Sequence, residues 1–127
     1  MTAPYRILVT GSRTWTDVGA IQKALAKAVE AIPADRQIIV VHGACPNGAD
    51  AIADQWARQY GATVERHPAN WRPNGVLDRA AGYRRNAEMV LSGADLCLAF
   101  IRNISPGATH CAATAERAGI PVRRFTA

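Results

Sequence analysis

The chain has 127 residues, of which 49% are hydrophobic and 20% are charged, a size and balance typical of one globular domain spanning residues 1–127. No apolar stretch approaches the roughly 18 residues that a membrane span requires, and the N-terminus lacks a signal-peptide pattern, so we expect a cytoplasmic protein without membrane contact. The net charge of +5 at pH 7 indicates either an anionic partner or simply a basic surface.

The first half of the chain alternates between strand and helix patterns. Residues 6–10 form a nearly continuous apolar run, which is typical of a strand covered on both faces. Apolar residues then recur at helical spacing over residues 18–32, and Pro33 ends that helix. A strand follows over residues 38–41, then a helix over 49–60 that Gly61 stops, and a weaker strand over 62–67.

The second half continues the alternation after one irregular stretch. Residues 68–80 form the longest segment without a pattern, and loops of this length in compact domains are usually functional or mobile. A helix is predicted from about residue 83 to 92, a strand over 96–101, a helix over 109–118 and a last strand over 121–125. Five strands alternating with four helices predict a single-domain, three-layer α/β/α architecture with a five-stranded, mainly parallel sheet.

The turns that follow the strands form the predicted ligand-binding edge. Right-handed crossovers place these turns on one side of a parallel sheet, where ligands bind. We therefore expect the glycine turns at Gly11, Gly43 and Gly107 to converge there. A glycine turn lets backbone N–H groups approach an anion, and the helix that follows points its positive end at it.

The turn after the first strand combines groups that suit a phosphate. Gly11 precedes Ser12 and Arg13, which supply a hydroxyl and a guanidinium. The alternative is a plain strand-to-helix turn with a surface arginine. Trp15 either stacks on a base or covers the edge of the sheet, and Trp71 in the long loop is a second base-stacking candidate.

The turn after the second strand is a stronger signal. Gly43 and Ala44 open it, and Gly48 allows close approach of the backbone to a ligand. Asn47 and Asp50 have the spacing of a helix-capping pair. The turn is not a Walker loop, because the required Gly-Lys-Ser/Thr is missing. Asp50 either stabilises the first turn of its helix or accepts hydrogen bonds from ribose hydroxyls.

Two later segments supply further candidates. Arg85 and Asn86 lie near a helix start and suit a phosphate or a carboxylate; alternatively they are a solvated arginine and a helix cap. Gly107 and Thr109, in the last turn, can offer backbone N–H groups and a hydroxyl. No Ser/His/Asp set and no metal cluster can be placed.

Taken in order, these motifs resemble those of the SLOG superfamily, in particular its small YspA/YpsA-related group of bacterial and phage proteins. The similar segments span nearly the whole chain: residues 9–13, 42–50, 85–89, 93–95 and 106–110. The resemblance implies a Rossmann-like fold and a nucleotide or nucleotide-derived ligand. Relatives are commonly dimers or larger, so we expect a homodimer.

The LOG phosphoribohydrolases are relatives that imply an enzyme activity. They cleave nucleoside monophosphates, and the chain matches their Arg-x-x-x-Met helix at Arg85 and Met89. Where their turn motif places the catalytic glutamate, however, the chain has Ala112. Cleavage of a glycosidic bond needs a carboxylate, so Asp50, Arg85 and Glu116 are only weak catalytic candidates.

The resemblance therefore leaves three functions open. The leading hypothesis is a non-hydrolytic sensor or carrier that binds a nucleotide-like ligand at the C-terminal edge of the sheet. The first alternative is a LOG-like N-glycosidase or nucleoside-transferring enzyme. The second is binding of single-stranded nucleic acid, as in the similar DNA-processing protein DprA, with Trp15, Trp71 and Tyr83 as the few stacking platforms. No metal or cofactor is identified, and the three cysteines lack the spacing of a zinc site.

Overall fold

Strands and helices alternate along the chain in the predicted order. A computed structural model describes residues 3–127, and no helix within that range is long and apolar enough to cross a membrane. The strands are β1 (Tyr5–Gly11), β2 (Ile38–His42), β3 (Thr63–Arg66), β4 (Leu96–Ile101) and β5 (Val122–Thr126). The α-helices are α1 (Val18–Val29), α2 (Ala49–Tyr60), α3 (Ala81–Leu91) and α4 (Pro106–Arg117).

The order of the strands fixes where a ligand can bind. All five strands are parallel, in the order β3-β2-β1-β4-β5. The chain builds outwards from β1 to β3 and then crosses back to β4 on the other side of β1. Ligands of open α/β sheets bind in the crevice at such a switch point. The turns after β1 and β4 are therefore the two sides of the expected site.

The helices cover both faces of the sheet. α1 and α2 pack on one face around Ile7, Val9 and Phe100, while α3 and α4 cover the other face through Leu8 and Met89. Alternate side chains of a buried parallel strand enter the two layers, and the side chains of Ile7, Leu8 and Val9 are fully buried. These findings confirm the predicted Rossmann-like, three-layer α/β/α fold, with a sheet that is parallel throughout.

Three helix limits differ from the predicted ones. α1 ends at Val29, three residues before the predicted limit, and Ile32 itself precedes Pro33, where the α conformation is disfavoured. α4 begins at Pro106, before residue 109, since the missing N–H of proline costs nothing at the first helical position. α3 begins at Ala81, and a short 3-10 turn at Pro73–Gly75 lies within the long loop.

Candidate functional site

A cavity of about 520 Å³ opens at the switch point between β1 and β4. The turn after β1, the start of α3 and the turn into α4 form its walls, and Trp71 from the long loop adds a further side. Among the described residues, its lining includes no aspartate or glutamate but four arginines: Arg13, Arg79, Arg85 and Arg102. This cavity, called here the larger compartment, therefore has a positive potential that suits an anion.

Two helices begin at the larger compartment. Gly82 and Tyr83 lie in the first turn of α3, Gly107 and Ala108 lie in the first turn of α4, and all four line the space. Neither helix has a side-chain cap at its N-terminus. N–H groups in the first turn of a helix have no partner within the helix. The positive ends of both helix dipoles therefore face the larger compartment.

Ser12 ties the turn after β1 to the turn after β4. Its hydroxyl accepts a hydrogen bond from the Arg102 N–H at 2.8 Å and donates one to the Arg102 carbonyl at 3.2 Å. Arg102 Nη1 in turn donates to the carbonyl of Thr14 at 2.7 Å. Gly11 keeps the strands close, since a Cβ there would lie 2.8 Å from the Phe100 carbonyl oxygen. Gly11 and Ser12 thus line the larger compartment, but the Ser12 hydroxyl is already used to join the two turns.

Arg85 and Asn86 connect α3 to three neighbouring turns. Arg85 Nη1 donates to the carbonyls of Gly43 at 2.5 Å and His67 at 3.3 Å, and its Nε donates to Asn86 Oδ1 at 3.0 Å. Asn86 is buried and donates from Nδ2 to the carbonyl of Gly107 at 3.1 Å. A Cβ at Gly43 would overlap the Arg85 guanidinium, so a larger residue there would require the Arg85 side chain to move.

A smaller compartment of about 310 Å³ adjoins the larger one. Arg13, Trp71 and Arg85 line both spaces. The Arg13 Cζ lies 5.5 Å from the centre of the Trp71 ring, a cation–π contact. The same ring packs on α3, where a Cβ at Gly82 would lie 2.9 Å from Trp71 Cη2. The other walls of the smaller compartment are Gly43, Ala44, Cys45, Pro46, Asn47, Pro68 and Ala69.

Asp50 lies beneath the loop after β2 and lines neither compartment. It is 6% exposed and accepts a hydrogen bond from the Cys45 N–H at 3.3 Å. Burial raises the pKa of its carboxyl. The expected capping pair of Asn47 and Asp50 is wrong, because the N-cap of α2 is Gly48 and no side chain caps the helix.

Gly48 joins the start of α2 to the turn after β1. Its φ is +72°, in the left-handed region that favours glycine, and a Cβ there would overlap the Ser12 carbonyl oxygen. The Ala49 N–H donates to that same carbonyl at 3.2 Å. The turn after β1 therefore covers the N-terminus of α2, and Gly48 is a packing position that lines neither compartment.

A partly buried cluster of His42, Asp54, Arg58 and Arg66 supports the loop after β2. His42 Nδ1 accepts a hydrogen bond from the Ala44 N–H at 2.9 Å, and His42 Nε2 lies 2.7 Å from Asp54 Oδ2. Nδ1 must be unprotonated to accept, so the ring donates from Nε2. Arg66 and Arg58 also donate to Asp54, and they hold the pKa of its carboxyl well below the usual range.

Besides Gly48 and Asp50, three further candidates from the sequence lie outside both compartments. Trp15 is 4% exposed and packs edge-on against Phe100, with ring centroids 5.5 Å apart; it belongs to the core and offers no ring face to a base. Glu116 is on the last turn of α4, where Arg124 donates to both of its carboxylate oxygens at 2.5 and 2.8 Å. Thr109 is exposed on α4 and does not line the larger compartment.

Arg79 and Arg102 line the larger compartment, although the sequence did not single them out as site residues. Arg102 could have been found, because it directly follows β4 at the switch point. Arg79 lies in the long loop, and no local pattern indicates that this loop returns to the crevice.

The comparisons with known proteins cover both halves of the sheet. Residues 5–73 match the family described as "YspA, cpYpsA-related SLOG family", and this range includes the turns after β1 and β2 as well as Trp71. The Gene 61 protein of Mycobacterium phage D29 is 46% identical over 125 residues, which cover 94% of this chain and 95% of that protein. The similarity to the phage protein therefore extends through α3 and α4.

Proposed function

The chain belongs to the YspA, cpYpsA-related SLOG family, and from this premise we propose that it binds a nucleotide or nucleotide-derived ligand in the larger compartment, as a non-hydrolytic sensor or carrier. Family membership suggests nucleotide-related binding or activity and nothing finer. The observation that carries the proposal is the set of four arginines in a crevice whose described lining residues include no carboxylate. Guanidinium groups form charge-assisted, often bidentate hydrogen bonds with phosphate oxygens.

Aromatic rings in the same compartment suit the other part of a nucleotide. Trp71 and Tyr83 line it and are 38% and 43% exposed, so parts of their ring surfaces are accessible. Bases stack on such rings without a sequence requirement. We assign the phosphate to the arginines and the first turn of α4, and the base to these two rings.

Cleavage of the N-glycosidic bond has little support in this lining. A carboxylate must assist departure of the base, but Asp50 is buried beneath its loop and Glu116 is paired with Arg124. Ala112, at the position where the LOG enzymes have their catalytic glutamate, has no carboxylate and is fully buried. Chromatography after incubation with nucleoside monophosphates should therefore detect no free base. If free base is released, and if Arg85→Ala abolishes that release, the protein is an enzyme and not a non-hydrolytic sensor or carrier.

Arg79→Ala tests the binding site directly. Arg79 is exposed and makes no hydrogen bond or ion pair with another described residue, so its loss leaves the fold intact. Loss of one charged hydrogen bond costs about 1.5–3 kcal/mol, so calorimetry with nucleoside mono- and diphosphates should show an affinity roughly tenfold to a hundredfold lower.

Arg123→Ala is the matched control for that experiment. Arg123 lies on β5, is exposed and lines neither compartment, so the variant loses the same charge elsewhere on the surface. Nucleotide affinity should not change. Equal losses in the two variants would show that net charge is responsible, and failure of every nucleotide to bind the unaltered protein would refute the proposal.

Single-stranded nucleic acid is the competing ligand, because the same arginines and rings lie at an open edge of the sheet. When the protein neutralises many phosphates of a strand, the affinity for that strand falls steeply as the salt concentration rises, while the affinity for a single nucleotide falls little. Titrations of an oligonucleotide and of mononucleotides at several salt concentrations separate the two. Tighter binding of the oligonucleotide with a steep salt slope would favour the nucleic-acid function.

A homodimer remains a proposal from the family resemblance. Leu91 and Ile104 are strongly exposed apolar side chains, which a contact between subunits at these positions would bury. Sedimentation velocity at micromolar concentration measures the oligomeric state, and a single species of monomer mass would contradict the dimer.

A further inference from the structure

We propose that the smaller compartment is a second subsite, and that the ligand is a nucleotide whose phosphate carries a further uncharged group through an ester or pyrophosphate linkage. The inference rests on the proposed function, because it assigns the nucleotide itself to the larger compartment. It adds the class of ligand and a role for the loop after β2.

The two compartments differ in charge. Arg79 and Arg102 line only the larger one. The smaller one has no charged side chain of its own among the described residues, since its unshared walls are glycine, alanine, cysteine, proline and asparagine. A second phosphate in that space would have no cation of its own, whereas a sugar or nucleoside could bond to the loop backbone and to Asn47. The smaller compartment therefore suits a neutral polar group.

The cations at the junction indicate what joins the two parts of the ligand. Arg13 and Arg85 line both compartments. Arg13 stacks on Trp71, and no described residue accepts a hydrogen bond from its guanidinium. Arg85 uses Nη1 and Nε to hold the protein together, which leaves its Nη2 without a described partner. Two guanidinium groups with available N–H donors suit an anionic linkage at this point.

Trp71 is the wall between the two subsites. Its ring packs against Gly82, and its carbonyl accepts a hydrogen bond from the Asp78 N–H at 2.6 Å. Ligand pockets are typically about 300–1,000 Å³, so 520 and 310 Å³ leave room for one unit of a ligand in each space. A ligand that uses both must pass Trp71 at the junction with Arg13 and Arg85.

Cys45 provides a reporter inside the smaller compartment. It lines that space and is half-buried. Cys97 and Cys111 are fully buried, and burial raises the pKa of their thiols to about 12 and about 11. Because the thiolate is the reactive form, alkylation should select Cys45, and peptide mass mapping identifies the modified residue.

The experiment compares iodoacetamide alkylation of the unaltered protein with two probes that share a base. One is a nucleoside 5′-monophosphate, and the other is the matching symmetric 5′,5′-dinucleoside diphosphate. At about 100 times its Kd, where nearly all sites are filled, the dinucleoside diphosphate should slow alkylation of Cys45 by about tenfold or more. The monophosphate should leave the rate unchanged.

The outcomes distinguish the two proposals. If the monophosphate binds and both probes give the same rate at Cys45, the second subsite is wrong and the proposed function stands. The same holds if the dinucleoside diphosphate fails to bind. If calorimetry detects no binding of any mononucleotide, both proposals are wrong.

Ala69→Leu gives an independent test. Ala69 lines the smaller compartment and not the larger one, and the longer side chain of leucine should reduce the space for a group bound there. The ratio of the affinities for the dinucleoside diphosphate and the monophosphate should fall. Ala118→Leu, the same change at the exposed end of α4, should leave the ratio as it is. An unaltered ratio in Ala69→Leu would contradict the second subsite.

Discussion

α2 and α4 both follow a strand at the same edge of the sheet, and each has a glycine at its N-terminus, Gly48 as the N-cap of α2 and Gly107 in the first turn of α4, but the two N-termini have different surroundings. The Ala49 N–H of α2 donates to the Ser12 carbonyl, and Gly48 packs on the same turn. α4 starts with Pro106, has no side-chain cap, and presents exposed Gly107 to the larger compartment. A glycine at the start of a helix therefore predicts an open anion site only where no other turn covers the start of that helix.

The strand order accounts for this difference. β2 is adjacent to β1 on the side away from the switch point, so the turn after β1 folds over the start of α2. β4 pairs with the other edge of β1, and the helix after it, α4, covers the opposite face of the sheet. The start of α4 consequently remains at the edge of the crevice.

Gly48→Ala should lower the stability most, because it disrupts the contact between the N-terminus of α2 and the turn after β1. The variant combines a left-handed φ with overlap onto the Ser12 carbonyl, and such strain with overpacking costs about 3 kcal/mol or more. Gly61→Ala is the control, since Gly61 has φ +91° and nothing within 4 Å of an added Cβ, and it should cost about 1–2 kcal/mol. Urea unfolding measures both, and equal losses would show that the contact with the turn after β1 contributes nothing.

Asp54→Asn should lower the stability by an intermediate amount, since it weakens the ion pairs that hold His42 beneath the loop after β2. Asp54 accepts from His42, Arg58 and Arg66, so its loss as a charge should lower the free energy of unfolding at pH 7 by about 2 kcal/mol. The pKa of Asp54 is lower in the folded state. Its contribution is therefore complete above the usual pKa near 4 and disappears as pH falls through the folded value.

Asp50→Asn is the matched comparison on the same helix. Burial raises the pKa of Asp50, so the folded state binds the proton of its carboxyl more tightly than the unfolded state does. The free energy of unfolding therefore falls as the pH rises above the usual pKa of an aspartate. Asp50→Asn should lessen this decline, and Asp54→Asn should lessen the loss at acid pH. Urea unfolding from pH 3 to 8 tests both. An Asp54→Asn variant with the acid profile of the unaltered protein would contradict the assigned role.

Gly107→Asp should have the smallest effect on stability and tests whether the start of α4 is used. A carboxylate near a helix N-terminus is favourable by about 0.3–1 kcal/mol, and nothing lies within 4 Å of a Cβ at Gly107. Nucleotide affinity should fall at the same time, because the new charge repels a phosphate in the larger compartment. Gly107→Asn is the control, because asparagine has nearly the size of aspartate without its charge, so a loss of affinity confined to Gly107→Asp would be due to the charge. Unchanged affinity in Gly107→Asp would mean that the open helix start takes no part in binding.

The fold could be predicted because its signals are local. The apolar run of β1 and the helical spacing before Pro33 each depend on neighbouring residues, and their alternation specifies a parallel sheet. The helix ends were less accurate, since a proline can stop a helix, as Pro33 does, or begin one, as Pro106 does.

Part of the candidate site could be predicted because it follows the ends of strands. Arg13 lies two residues after β1, and Gly107 lies in the first turn of the helix after β4; the structure brings both to the crevice. Arg85 and Asn86, indicated by a motif on a helix, also line it. Trp15 could not be assigned, because whether a tryptophan after a turn faces the core or the edge depends on Phe100, far along the chain. The support of Ala44 by His42, and of His42 by Asp54, is likewise a tertiary contact without a sequence pattern.

The hydrogen bonds of Ser12 to Arg102 and of Arg85 to Gly43 mean that the turns are already assembled before a ligand arrives. Binding then requires little ordering of the backbone, and most of the conformational entropy lost belongs to exposed side chains such as Arg13 and Trp71. The heat-capacity change of binding should consequently correspond to burial of the ligand and of the residues that line its site, such as Trp71 and Tyr83, without a contribution from folding of the backbone. Amide hydrogens at Ser12 and Arg102 should exchange slowly even in the free protein.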